Sequence, residues 1–154
     1  MVTTKETKLE ESDYMLLPVG LRAELLDGLL VKEPAPTFWH QSVSSRIHYL
    51  LATLVGPSRA IASPIDVFVD PYNILQPDVL VTPEDTVLRV GRARVPTPIL
   101  VIEVLSPSTA SRDRDQKVAI YLGAGVGVGG DGPAHDDLVV GMRAPNHDPV
   151  VGFH

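Results

Sequence analysis

The run Pro98–Leu105, PILVIEVL, limits what this chain can fold into more than any other stretch. A nearly unbroken apolar run of that length offers no polar face to water, so it predicts a central strand covered on both faces. Glu103 stands inside it. An ionised carboxylate in such surroundings is costly unless it is paired or bound to a cation. The strand therefore predicts a core and a charged site at one place.

Length and composition agree with a core of that kind. The chain has 154 residues, 44% of them hydrophobic and 21% charged. That is one ordinary globular domain, able to bury roughly two-thirds of its extended surface. No apolar run approaches the ~20 residues of a membrane span. The N-terminus, MVTTKETKLEESD, carries no apolar segment of the secretory type. With no cysteine there is neither disulfide nor thiolate metal site, which fits a cytoplasmic protein. The net charge of −6 argues against loose, charge-driven binding to nucleic acid. Yet six of the 13 basic residues (Arg89, Arg92, Arg94, Arg112, Arg114 and Lys117) fall between 89 and 117, against Glu103, Asp113 and Asp115. Either a local positive face or an ordinary solvated stretch accounts for them.

Along the chain, residues 1–13 are polar and aperiodic and read as a mobile tail. Arg22–Leu26 and Leu29–Glu33 flank Asp27-Gly28, a strong hairpin signal. The segment TFWHQSVSSRIHYLLATLVG predicts a helix capped by Thr37 and stopped at Gly56-Pro57. Val43, Ile47, Leu50, Leu51 and Leu54 recur in it at helical spacing. His48 reads as helix surface, Phe38 and Trp39 as core or interface. AIASPIDVFVD and ILQPDVLVT predict two strands about the Pro71-Tyr72-Asn73 turn, with Pro77 marking a bulge or an edge. SRDRDQKVAIYLGAG predicts a helix closed by Gly123. From Gly125 onward the chain holds seven of its 12 glycines, no helical pattern and one strand-like run, Leu138–Val140.

Two further acids share Glu103's unusual setting. Asp78 lies among apolar residues in ILQPDVLV, and Glu24 lies in the first hairpin strand. Taken singly, an acid in a strand more often faces solvent or meets an arginine. In combination, two carboxylates converging on adjacent strands would repel each other, and a divalent metal removes that conflict.

At this point the chain resembles a family. AELLDGLLV, the His40 helix, QPDVLV, ILVIEVLSPST and RDRDQKVAIYLGAGV, spanning Arg22 to Val126, are similar to the Uma-type restriction endonucleases of the PD-(D/E)XK nuclease superfamily. The resemblance implies an α/β fold with a restriction-endonuclease-like core, a mixed β-sheet flanked by helices, over residues 14–126. It implies a DNA endonuclease with catalytic Glu24, Asp78, Glu103 and Lys117. Magnesium, with manganese as substitute, would be held by Asp78, Glu103 and the backbone carbonyl of Val104. Glu24 would bind or orient it through water. The superfamily places a lysine two residues after the glutamate, where this chain has Leu105. The resembled family takes it from the next helix, at Lys117, with Lys32 in reserve.

The chemistry that follows is hydrolysis of DNA phosphodiesters by activated water, with Lys117 stabilising charge on the phosphoryl oxygens. Gln76, His40, Arg112 and Arg114 are candidates for substrate contact. DNA is the implied partner, and a homodimer is compatible with cutting both strands. The alternative is a relative of the same fold that binds DNA without cutting it or has lost activity. His135, Asp136, Asp137, His147 and His154 have no regular metal-ligand spacing, and GAGVGVGG lacks the G-K-[ST] of a phosphate loop. Residues 127–154 depart from the resembled family, which continues with strands there. A frameshift and the loss of those strands is the expectation for this segment.

Overall fold

The computed structural model describes residues 7–87, 95–105, 112–129 and 138–142; the side chains at 112–114, 127–129 and 138–142 are outside it. In chain order the elements are α1 (Glu11–Tyr14), β1 (Ala23–Leu26), β2 (Leu29–Lys32), α2 (Phe38–Val55), β3 (Ala60–Ala62), β4 (Val67–Asp70), β5 (Asn73–Leu75), β6 (Val79–Val81) and β7 (Leu100–Val104). A π-helical turn at Arg112–Lys117 then runs into α3 (Val118–Gly123), followed by β8 (Gly127–Gly129) and β9 (Leu138–Met142). The fold is mixed α/β, consistent with a restriction-endonuclease-like core. The described strands form two sheets, ordered β2-β1-β5-β4 and β3-β6-β7-β9-β8. Every described ladder is antiparallel.

The hairpin forms as the Asp-Gly pair requires. Asp27 and Gly28 have φ of 50° and 81°, the left-handed pair of a tight turn matched to strand twist. A Cβ on Gly28 would also stand 2.6 Å from Lys8 Cβ. The N-terminal segment packs there: Leu9 N–H donates to Gly28 O at 2.9 Å, and Glu11 N–H to Pro71 O at 2.8 Å. Residues 9–13, expected in a mobile tail, are thus tied to the hairpin and to the turn before β5.

The prolines redirect two strands. AIASPIDVFVD is not one strand: it breaks at Ser63–Asp66, leaving β3 in one sheet and β4 in the other. Its partner breaks at Gln76–Asp78, so β5 and β6 likewise belong to different sheets. A proline has no amide for a ladder, and Pro64 and Pro77 sit at these paired breaks. One hairpin therefore crosses from sheet to sheet with both arms. The crossing forms a corner where Glu24, Asp66, Gln76 and Asp78 gather.

The main core lies between the sheets and α3, with Leu26, Val67, Leu75, Leu80, Val101, Ile120, Tyr121 and Val126 clustered. A smaller cluster joins Tyr14, Leu25 and Ile74. β7 is central in its sheet, and Val101 to Leu105 are buried without a break, as PILVIEVL predicts.

The strand-like run expected at Leu138–Val140 forms β9, which pairs with β7 from Leu100↔Met142 to Val104↔Leu138; β8 at Gly127–Gly129 pairs with β9, so this segment supplies strands where their loss was expected. Glycine is a poor strand former, but a backbone ladder needs no side chain, and β7 offers a full row of partners. Helix α2 begins and ends as expected, with Thr37 Oγ1 accepting from His40 N–H at 3.2 Å and Gly56 at φ 95°. Its apolar spacing marks the inward face only in part, with Val43, Ile47 and Leu51 half-buried. Among α2 residues only Ser44 is buried, while Leu50 and Leu54 are 60% and 79% exposed. Trp39 and Phe38 are exposed too. His48 is half-buried instead of on the open surface, with Nε2 3.0 Å from Ala60 O. Among the described residues no helix is long and apolar enough to cross a membrane.

Candidate functional site

β6 and β7 bring the first two acids together. Their ladder runs Val81↔Leu100, Leu80↔Val101 and Val79↔Ile102. One further step of that register places Asp78 opposite Glu103. The contact is closed by Val104 N–H, which donates to Asp78 Oδ2 at 2.8 Å. Ser63 N–H, just after β3, donates to Asp78 O at 2.9 Å on the other side, so the aspartate is held by its backbone there and by its carboxylate from β7. From α2, His40 Nε2 stands 3.1 Å from the same Oδ2. A carboxylate oxygen only accepts, so it takes the Nε2 proton, leaving Nδ1 as the ring's other nitrogen.

The second half of the corner is deeper. Glu24, Glu103 and Lys117 are all buried, at 0%, 4% and 4% exposure. Lys117 Nζ lies 2.9 Å from Glu24 Oε2 and 3.4 Å from Glu103 Oε1. The ammonium therefore joins two carboxylates that would otherwise repel each other. The π-helical turn widens the helix just before α3 and delivers Lys117 inward. Such turns recur at functional sites. Lys32, the reserve lysine, is exposed on β2.

Two neighbours fix these acids. Gln76 N–H donates to Glu24 Oε1 at 2.6 Å, while Gln76 Nε2 donates to Asp66 Oδ1 at 2.8 Å and Leu21 O at 3.2 Å. Gln76 thus braces Glu24 through its backbone and Asp66 through its side chain. Tyr121, one α3 turn beyond Lys117, donates its hydroxyl to Glu103 Oε1 at 2.9 Å. Sequence reasoning did not single out Tyr121. The signal was its spacing of four from Lys117, which puts both on one helix face.

Burial sets the protonation behaviour. Desolvation pushes the Glu24 carboxyl above its ordinary 4.5, against the lowering pull of Lys117 and of the Gln76 amide. Desolvation pushes the Tyr121 phenol well above 10.0, and the negative charges of Glu103 and Glu24 add to it. Tyr121 therefore stays protonated and remains a donor near neutrality.

Among the described residues, no three His, Cys, Asp or Glu side chains converge as a ready-made cage for a divalent cation. What stands is a pair, Asp78 opposite Glu103, with Glu24 linked through Lys117. Among the described residues, three carboxylates meet one ammonium and one imidazole at this corner. One or two carboxylates completed by waters is the set magnesium takes. The residues fit it.

Of the sequence candidates, the structure gathers Glu24, Asp78, Glu103, Lys117, His40, Gln76 and the Val104 backbone at this corner. Arg112 and Arg114 open the π-helical turn, but their side chains are outside the described residues. So are Arg89, Arg92 and Arg94, and His135, Asp136, Asp137, His147 and His154.

Residues 9–130 match the family model Uma2, described as "Putative restriction endonuclease". No curated protein matches the chain.

Proposed function

The chain belongs to the Uma2 family, and on that premise we propose that it is a metal-dependent endonuclease hydrolysing DNA phosphodiester bonds. The observation that carries this reading is the convergence of Asp78 and Glu103 across β6 and β7 with the Lys117 ammonium buried against Glu103. A surface ion pair would not need three buried charges at a sheet corner.

A magnesium ion at Asp78 and Glu103, with the Val104 carbonyl as a further oxygen, would supply Lewis-acid charge and lower the pKa of water. The chain's own groups do the rest. Tyr121 and Lys117 both donate to Glu103 Oε1 and fix how that carboxylate is presented. Lys117 brings a positive charge to the phosphoryl oxygens, where negative charge grows during hydrolysis. Glu24 holds Lys117 in place, and in this reading it orients water beside the ammonium. His40 and the Val104 amide hold Asp78 from two sides.

The test is cleavage of supercoiled plasmid with magnesium or manganese, beside EDTA and a Glu103→Ala control. The expected result is nicking that requires the metal and disappears in the variant. Undiminished cleavage by Glu103→Ala overturns the site. A folded wild-type protein that never cleaves favours a DNA-binding or inactive relative.

A further inference from the structure

A pocket opens beside the carboxylate corner, between the first turns of α2 and the crossing that follows β3. Arg22, His40, Gln41, Ser44, Ser63 and Asp78 are among the residues that line it. Three buried polar atoms of these residues have no hydrogen-bond partner among the described residues: Arg22 Nε, His40 Nδ1 and Ser63 Oγ. An unmet buried polar atom costs roughly 1–3 kcal/mol, and each one in a native fold calls for an explanation. Three on one pocket point to a missing ligand.

The chemistry of the wall selects its charge. Arg22 Nε is a donor and nothing else, on a permanent cation whose planar fork matches phosphate. Ser63 Oγ can donate as well. Asp78 is the one acid in this wall, and its Oδ2 is turned to His40 and to the Val104 amide. The pocket therefore offers donors and positive charge to an anion. The chain as a whole carries −6, so a nucleic-acid backbone is held only where donors are built in locally.

We propose that this pocket seats a backbone phosphodiester of DNA, next to the one presented to the carboxylate corner, with Arg22 and Ser63 as its donors. Contacts of that kind set the register of a nucleic acid on a protein without reading its sequence. His40 lines the same wall and holds Asp78 Oδ2 through Nε2. The inference rests on the nuclease reading for the identity of the polymer, but binding to the pocket needs no metal.

The experiment is therefore done in EDTA. Thermal melts of the full chain are followed with inorganic phosphate, and separately with a short DNA duplex, at constant ionic strength. Both are expected to raise the melting temperature of the wild type. Arg22→Gln and Ser63→Ala are each expected to weaken both effects about tenfold or more, the loss of one charge-assisted or buried hydrogen bond. Should Arg22→Gln fold poorly, Ser63→Ala removes a single hydroxyl and carries the test. Protection that survives both substitutions places the anion elsewhere and overturns the proposal, as does a folded wild type that neither probe protects. Protection by phosphate but not by duplex overturns the DNA assignment. A protein protected by both probes that never cleaves with magnesium keeps this pocket and loses the nuclease reading.

Discussion

The ammonium of Lys117 sits where two carboxylates would otherwise repel each other, 2.9 Å from Glu24 and 3.4 Å from Glu103. Removing one partner from a buried ion pair costs roughly 3–5 kcal/mol. Lys117→Met is thus expected to abolish cleavage and to lower the urea midpoint, read by circular dichroism. Wild-type stability in that variant would show Lys117 to be a surface residue. Glu24 gives a pH signature. Its folded pKa lies above the ordinary 4.5 because burial disfavours its charge. Just above pH 4.5 the folded form still holds a proton that the unfolded chain has released, so stability falls as pH rises. Its contribution is complete below the unfolded value and is lost as pH climbs through the folded one. Relative to Glu24→Gln, the wild type is expected to lose stability from pH 4.5 upward in urea melts. A gain over that window would reverse the assignment. Tyr121→Phe deletes one donor to Glu103, and at about 1–3 kcal/mol for a buried bond it should lower both stability and turnover.

At the scale of elements, the hairpin and α2 make opposite predictions from sequences of similar clarity. Gly28 is held at φ 81° with Lys8 Cβ only 2.6 Å from where its own Cβ would lie. Gly28→Ala meets both strain and a clash, and is expected to destabilise by more than ~1 kcal/mol in chemical denaturation. On α2, Leu54 is an apolar residue at helical spacing yet 79% exposed. Leu54→Ala should change stability by no more than ~0.5 kcal/mol. A core-sized loss of 2 kcal/mol or more, on the order expected for buried leucine, would put that face against something the monomer does not contain. The cap is the sensitive point of this helix, since Thr37 Oγ1 satisfies His40 N–H.

For the whole molecule, the decisive ladder is the one between β7 and β9. β7 carries Glu103, and its neighbours are β6 on one side and β9 on the other. Ending the chain after Gly130 removes β9 and uncouples β8 as well, leaving β7 as a bare apolar edge. Such edges pair with other chains. The truncated protein is expected to melt without a cooperative transition and to aggregate, read by calorimetry and light scattering. A monomeric, cooperatively folding truncation would show that the tail is dispensable to the site.

Much of this was legible in the chain itself, because the signals were local. Asp27-Gly28 specified its turn through two backbone angles, Thr37 and Gly56 bounded α2, and PILVIEVL announced a doubly covered strand. Glu103 in that strand, and Asp78 after Pro77, marked a charge problem before any contact was known. The sequence also showed that Lys117 stood on a helix. Only the tertiary structure made it a buried partner of Glu24, 93 positions away. Nor did periodicity alone reveal which side of α2 meets the sheet, since Val43, Ile47 and Leu51 are half-buried while Leu50 and Leu54 at the same spacing are exposed. The break of two strands at paired prolines, and the recruitment of glycine-rich Gly127–Gly129 as β8, depended on partners distant in sequence. Local sequence sets backbone angles and the energetic cost of a buried charge. Which groups relieve that cost is settled only when the sheets close and bring distant residues within a few ångströms.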